Sequence, residues 1–280
     1  MKLDLLGNNV QFFKRPFDEL LSWLGENDIK EIDFTTHVPH IYVDSYGYKD
    51  ICQAKTKLMQ SGVSVSCITP MPYRFSICAD EGTIQRDKTI EYYKQCIDMA
   101  EDFGSPYVTI TASGACYDYE EERLRANGIE TLKILAEYAG NHGVTLLLGT
   151  VLGEECQPNA STPVFVRLHE IKAALDEVKS EALKAYLDTE VISLCGETIT
   201  QWFELLGKNI ALIRLTDGNY NGYRVWGMGC LPCRKYLQEI ADNGYEGKFS
   251  LNIPGERYSE NPSEAMTSNV NYLRETARQV

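Results

Sequence analysis

Five carboxylates in the segments that follow the short apolar runs of this sequence are candidate metal ligands. Loop carboxylates of this kind can coordinate Mg²⁺ or Ca²⁺. They are Glu154, Glu155, Glu190, Asp217 and Glu256. Five acidic residues spread over four segments are close to chance in a chain of net charge −13. A metal site built from these carboxylates is therefore the less favoured interpretation.

Other side chains in the same segments could contact a small polar molecule. Trp226 lies close in the sequence to two tyrosines, Tyr220 and Tyr223. These rings could stack on a sugar, or they could instead pack against other parts of the protein. Arg224, like Arg257 further on, could meet an anionic group. For proton transfer, the weak catalytic candidates are Glu154, Glu190 and His40.

The motif Cys230-Leu-Pro-Cys233 raises the question of redox chemistry. It opens the helix predicted near 231–243, where the helix dipole would lower a thiol pKa. However, Gly227, Gly229 and Pro232 surround it in a glycine-rich connection. A thioredoxin-type site would require a different topology, so we do not favour redox activity.

Eight short apolar runs alternate with eight amphipathic stretches, and these elements must position the candidate residues. The predicted strands are Lys2–Leu6, Glu31–Phe34, Val63–Ile68, Tyr107–Thr111, Val144–Leu148, Ala185–Asp188, Ile210–Leu215 and Phe249–Ile253. The predicted helices lie near 16–27, 48–61, 83–103, 120–141, 163–178, 198–206, 231–243 and 262–278. Strict alternation predicts parallel strands with crossover helices. Eight such units predict an α/β (β/α)8 TIM barrel in one domain, residues 1–280. An open doubly wound sheet is the alternative, but no glycine fingerprint follows the first strand.

The loops after the strands are where such a barrel carries its chemistry. All eight predicted loops are longer than the usual two to six residues. Long loops on one face favour a deep pocket. The alternative is that the fold tolerates long loops on this face without any role in function.

The amino-acid composition indicates which binding partners and which cellular compartment to expect. A net charge of −13 and a pI near 4.8 disfavour nucleic-acid binding. The nine cysteines are odd in number and scattered, which predicts a reducing compartment. The first residues do not form a signal peptide, and no run of 18 apolar residues occurs. We therefore expect a cytoplasmic protein that does not bind membranes.

Several segments in a fixed order resemble a known family. They are GVTLLLGTV, AYLDTEV, NIALIRLTDG, GMGCLP and GYEGKFSLNIP. Together they resemble the xylose-isomerase-like barrels, the sugar phosphate isomerases and epimerases, and most closely the fructosamine (fructoselysine) 3-epimerases. The resemblance extends from Asp28–Asp33 to the last helix. Pro39-His40 matches a Pro-His of these epimerases and implies a substrate contact for His40.

The family binds one divalent metal, often Mn or Co, through a Glu, an Asp, a His and a Glu at the ends of strands five to eight. The two Glu residues also move the proton, while the metal holds the enediolate charge. Here these positions carry Gly149, Asp188, Arg214 and Asn252. The resemblance thus leaves one ligand of four, Asp188, and neither catalytic carboxylate. We expect no metal cofactor.

Arg214 cannot replace the metal-binding histidine, because a guanidinium has no lone pair to offer a metal. It could form a bidentate ion pair with Asp188, which we favour, or it could bind a phosphate or carboxylate of a ligand. In the second case Arg214, with Asn252, His40, Trp226 and Arg224, would belong to a substrate-binding site.

Two functions of different classes remain open. The chain is either an isomerase or epimerase acting on a ketose, sugar phosphate or fructosamine-type sugar through altered chemistry, or a catalytically inactive barrel. An inactive barrel would bind a sugar or serve as a partner subunit beside an active relative. The resemblance also implies that the chain could form a homo-oligomer or a heteromer with an active relative. An abasic-site endonuclease on the same fold is disfavoured by the acidity and the missing His ligands.

Overall fold

Eight parallel strands form the centre of the structure, a computed structural model that describes residues 1–48, 51–71, 75–112, 120–149, 164–219 and 221–280. The strands are β1 (Asp4–Asn8), β2 (Glu31–Thr35), β3 (Ser64–Thr69), β4 (Tyr107–Thr111), β5 (Thr145–Gly149), β6 (Leu183–Asp188), β7 (Ile210–Arg214) and β8 (Lys248–Ser250). They close into a barrel in the order β1-β8-β7-β6-β5-β4-β3-β2. The predicted α/β TIM-barrel fold is confirmed.

Helices connect the strands, and each predicted helix is found with its ends shifted by a few residues. They are α1 (Phe17–Glu26), α2 (Ile51–Gln60), α3 (Ile84–Phe103), α4 (Glu121–Asn141), α5 (Leu168–Val178), α6 (Thr189–Leu194), α7 (Ile199–Leu206), α8 (Cys233–Asp242) and α9 (Pro262–Ala277). The short helix α6 and two antiparallel hairpins, 43–48 and 217–224, are additions that the sequence pattern did not predict.

The chain divides by compactness into two units, which we describe separately. The first comprises Met1–Ile41, Asp50–Ser66 and Leu187–Val280, and the second comprises Tyr42–Lys49 and Cys67–Tyr186. The single domain expected over residues 1–280 stays a prediction.

In the first unit, the strand register determines which polar residues become neighbours. β1 pairs with both β8 and β2, and β8 pairs with β7. Ser250 is the register partner of Leu6 on one side and of Arg214 on the other. Both faces of these strands are buried, because the barrel interior lies on one side and helices cover the other. A polar side chain inside this unit must therefore find its partners among neighbouring strands.

In the second unit, β4 and β5 pair over their whole length, from Tyr107 opposite Thr145 to Thr111 opposite Gly149. Local signals delimit the long helix α3 that packs here. The Thr83 side chain accepts a hydrogen bond from the Arg86 amide at its start, and Gly104 ends it in the left-handed conformation with φ 70°. Glycine has no Cβ, so it adopts this φ without strain.

No helix within the described ranges is long and apolar enough to cross a membrane. The cysteines of those ranges are free thiols.

Candidate functional site

Asp188 lies at the junction of β6 and α6, and its carboxylate is held by the start of the helix. Its Oδ1 accepts hydrogen bonds from the Thr216 hydroxyl at 2.6 Å and from the amides of Glu190 and Val191 at 3.0 and 3.4 Å. Burial raises the pKa of Asp188, while the hydrogen bond from Thr216 and the positive charge of Arg214 act in the opposite direction. Asp188, which the resemblance predicts to be the one retained ligand, thus serves as the N-cap of α6.

Arg214 ends β7 with its guanidinium buried among carboxylates. Its Nη2 lies 3.8 Å from Oδ2 of Asp33, and the two side chains are 7% and 0% exposed. The Ser250 hydroxyl donates a hydrogen bond to the same Asp33 oxygen at 2.6 Å. The expected bidentate pair between Arg214 and Asp188 is therefore wrong. Asp188 binds Thr216 and the start of α6, and it influences Arg214 through space, whereas Asp33 makes the closer ion contact.

Asn252 lies two residues beyond the end of β8 and is 3% exposed. Its backbone amide donates to the Ser250 hydroxyl at 3.1 Å. Its side-chain amide makes no hydrogen bond to another residue in the described part of the chain. An amide can both donate and accept hydrogen bonds, so this side chain has the capacity to bind a ligand hydroxyl.

Gly149, the last residue of β5, leaves no room for a side chain. A Cβ built at this position would lie 2.6 Å from Cδ1 of Tyr186 and still closer to its Cε1 and Cζ. The Tyr186 ring is 1% exposed. The strand-five position therefore has neither a ligand atom nor the space for one.

The four family positions do not fit a divalent metal. Gly149 offers no donor, Arg214 is a cation and Asn252 contributes at most a neutral oxygen. Nowhere in the described ranges do three or more His, Cys, Asp or Glu side chains form a group that could hold a metal ion. Glu154 and Glu155 lie outside the described residues.

His40 contacts the segment between β1 and α1. Its Nε2 lies 2.9 Å from the Arg15 carbonyl oxygen and its ring packs 5.3 Å from that of Phe17. Burial lowers the pKa of His40, the hydrogen bond to Arg15 partly raises it, and the charge of His37 lowers it further. Nδ1 is buried and has no hydrogen-bond partner among the residues that the structure describes. His40 is therefore neutral at pH 7, and its role as a base or substrate contact stays a prediction.

Glu190, the second candidate base, lies in the first turn of α6 and is 2% exposed. Its carboxylate packs directly against Gly218, where any Cβ would collide with it. Glu190 is thus a buried acid close to the hairpin after β7. Its catalytic role stays a prediction.

Asp217 organises the glycine-rich connection before α8. Its Oδ2 accepts from the amides of Gly227 and Gly229 at 3.0 and 2.9 Å, and its Oδ1 accepts from the amide of Leu231 at 3.0 Å. The Cys233 thiol also donates to it. Burial and the charge of Asp217 raise the pKa of Cys233 to about 12. This thiol stays protonated, which does not favour the redox interpretation of the motif.

A surface cavity of about 820 Å³ lies beside this connection. Its lining comes from the segment 227–239 together with Asp217 and Tyr272. Asp188, Arg214 and Asn252 do not line it. It is therefore separate from the residues at the strand ends.

Arg224 and Trp226 follow β7, as expected, but both make structural contacts. The Arg224 guanidinium donates to the carbonyls of its own hairpin, the shortest bond being 2.8 Å to Tyr223. The Trp226 backbone amide donates to Asn269 Oδ1 at 2.7 Å. The indole Nε1 of Trp226 is buried without a hydrogen-bond partner in the described ranges. Substrate contacts by either residue stay predictions, and Tyr220 lies outside the described residues.

The sequence analysis missed four residues of this region: Asp33, Ser250, Thr216 and Tyr186. A signal existed for Asp33, since an acid inside a strand buried on both faces needs a partner. Nothing in the sequence predicts a role for Ser250 or Thr216, because serine and threonine are common in strands and loops.

Comparisons with known proteins agree with this architecture. Residues 26–276 match the family described as Xylose isomerase-like TIM barrel. A fructoselysine 3-epimerase of Shigella flexneri is 27% identical over 221 residues, 77% of each chain, and one of Escherichia coli O157:H7 is 26% identical over the same share. The solved 3-keto-D-glucoside 4-epimerase of E. coli has a TM-score of 0.80 at 13% identity, covering 98% of this chain and 100% of that one. The D-psicose 3-epimerase of Clostridium cellulolyticum H10 has a TM-score of 0.76 at 12% identity, covering 98% and 99%.

Proposed function

Because this chain belongs to the xylose isomerase-like TIM-barrel family, we propose that it binds a ketose-type sugar at the ends of β6, β7 and β8 without a divalent metal. The observation that carries the proposal is the buried guanidinium of Arg214. The sequence resemblance predicts that Arg214 takes the strand-seven ligand position of the family. Because the guanidinium is always protonated, Arg214 would supply at this position the positive charge that a bound cation supplies in the family.

The chemistry of Arg214 suits the oxygens of a sugar. A guanidinium donates hydrogen bonds to carbonyl and hydroxyl oxygens, and it stabilises negative charge that develops on an oxygen. Asn252 adds one donor and one acceptor next to Ser250. These groups bind and orient a ligand. Neither Gly149 nor Asn252 can take the proton that the family's two Glu residues move.

The charges near Arg214 favour a neutral sugar over a sugar phosphate. Asp33 lies 3.8 Å away, and Asp188, whose pKa is raised by burial, lies within electrostatic range of Arg214. Acidic groups already buried around one guanidinium disfavour a further anion there. A ketose or a fructosamine-type sugar, the substrate class named for the two curated relatives, is compatible with this charge pattern.

The first experiment is elemental mass spectrometry of protein purified without chelator, with melting curves measured with and without Mn²⁺ and Co²⁺. We expect far less than one metal per chain and no shift. Titrations with D-psicose, D-fructose and D-fructose 6-phosphate then follow by calorimetry. We expect the free ketoses to bind and Arg214→Met to lose that binding, with Arg278→Met, at an exposed arginine after α9, as the matched surface control. A stoichiometric metal, or no ketose binding by the wild type, would refute the proposal.

A non-catalytic barrel is the second candidate, favoured by the absence of a carboxylate at positions 149 and 252. Proton NMR of a bound ketose in D2O separates the two functions. Deuterium incorporation next to the carbonyl means that a base such as Glu190, Glu154 or His40 still moves a proton. Binding without exchange means a sugar-binding subunit, and native mass spectrometry then tests for a homo-oligomer or a heteromer with an active relative.

A further inference from the structure

Position 149 is closed by an aromatic ring. The Tyr186 ring lies over the Cα of Gly149, with its hydroxyl end, Cε1 and Cζ, nearest to the missing Cβ. Real Cβ atoms essentially never approach another atom to less than 3.0 Å, and three ring atoms of Tyr186 would fall inside that limit. Even alanine at this position therefore requires the ring to move.

The surroundings keep the ring in place. Tyr186 is 1% exposed and lies on β6, whose residue Ala185 pairs with Leu148 of β5. The buried side chain of Tyr93 is close enough to Tyr186 to interact with it electrostatically. Interiors are packed as densely as organic crystals, so a ring of this size has no vacant volume to enter.

We propose that Tyr186 determines the metal independence of this barrel, because its ring occupies the volume that a strand-five ligand side chain requires. This inference rests on the proposed metal-free function and names the residue responsible for it. Restoring Glu at position 149 would then not suffice to recover a ligand, since the carboxylate could not enter its place. Gly149 and Tyr186 form a compensating pair.

A second glycine offers a matched control. A Cβ at Gly128 of α4 would lie 2.5 Å from Cε2 of Phe165, a similar collision at a position where the family has no ligand. Gly149→Ala and Gly128→Ala should each lower Tm by several degrees, about 3–10 °C for overpacking in a domain of this size. In a Y186A background, Gly149→Ala should cost almost nothing further, while Gly128→Ala should keep its full cost.

Equal costs of Gly149→Ala in both backgrounds would overturn the proposed pairing. Should Gly149→Ala alone be insoluble, recovery of soluble protein in the double variant is the supporting result, and failure to recover it contradicts the pairing.

The decisive test is metal uptake by variants with the family ligands restored. Mn²⁺ binding by G149E/R214H/N252E is measured by electron paramagnetic resonance with and without Y186A. We expect about one Mn²⁺ per chain with Y186A and at least tenfold weaker binding with Tyr186 retained. Equal binding in the two, or none in either, would overturn the role of Tyr186. Metal found in the wild type would instead refute the proposed function, so the two failures are distinguishable.

Discussion

A buried guanidinium needs counter-charges, and Arg214 has Asp33 at 3.8 Å with Asp188 also within electrostatic range. The three residues lie on different strands, and each of the two acids has its own anchor. Ser250 holds Asp33, while Thr216 and the start of α6 hold Asp188. Removing one anchor leaves a buried charge less compensated. This lowers the free energy of unfolding more than the loss of an exposed ion pair would.

Thr216→Val tests the anchor of Asp188. Valine keeps the shape but removes the hydroxyl that donates to the carboxylate at 2.6 Å. Because hydrogen bonds to charged groups contribute most, we expect the free energy of unfolding to fall by about 2 kcal/mol. Urea denaturation at pH 7 measures this, with Thr216→Ser as the control that keeps the hydroxyl. A loss of less than about 0.5 kcal/mol would contradict the anchoring role.

His40 gives a prediction about pH. Since burial lowers its pKa in the folded state, the unfolded chain binds the proton more readily between the folded pKa and the ordinary value of 6.5. Stability contributed by neutral His40 is present above pH 6.5 and is lost as pH falls through the folded pKa. The slope cannot exceed about 1.4 kcal/mol per pH unit for one proton.

Urea denaturation between pH 7 and pH 5 measures that slope. His40→Gln retains a side-chain nitrogen that can donate to the Arg15 carbonyl but does not titrate, so it should flatten the dependence. His169→Gln, at an exposed histidine of α5, is the matched control substitution. Identical slopes for wild type and His40→Gln would show that His40 does not titrate in this way.

At the scale of elements, the connection from the 217–224 hairpin to α8 depends on a single carboxylate. Asp217 accepts from four backbone amides, those of Gly218, Gly227, Gly229 and Leu231. Glycine is required at position 229, because a Cβ there would collide with this carboxylate. The glycine-rich connection thus wraps around the Asp217 carboxylate, whose two oxygens both accept hydrogen bonds from backbone amides.

Asp217→Ala should release that connection. Several buried amides would lose their acceptor, so we expect a loss of about 3 to 5 kcal/mol in the free energy of unfolding. Hydrogen exchange at Gly227, Gly229 and Leu231 should accelerate more than elsewhere, which hydrogen–deuterium exchange mass spectrometry detects. Asp242→Ala, on the exposed end of α8, serves as the control. Unchanged exchange in 227–231 would contradict the role of Asp217.

At the scale of the whole molecule, the net charge disfavours nucleic acids as binding partners. Forty acidic against twenty-seven basic residues give a net charge of −13. Such a chain repels phosphate backbones at long range. We therefore expect no incision of a duplex with one abasic site, with or without Mn²⁺, and duplex binding weaker than about 100 µM at physiological salt. Fluorescence anisotropy and a gel assay measure both, and measurable incision would restore the endonuclease interpretation.

The sequence by itself determined the barrel, because the alternation of strands and helices is a local pattern repeated eight times. It also predicted these strand ends closely, since Gly149 and Arg214 end β5 and β7, each one residue from the predicted ends at Leu148 and Leu215. That these residues replace the family's ligands stays a prediction. Asp188 likewise ends β6 as predicted.

Only the tertiary structure decided what those residues contact. Asp33 and Ser250 are 217 residues apart in the chain, and the strand register, not any local pattern, brings them to each other and to Arg214. The closure of position 149 by Tyr186 likewise depends on packing between β5 and β6. Contacts of this kind arise from the packed interior, where each side chain excludes every other from its volume, and no single segment of sequence contains that information.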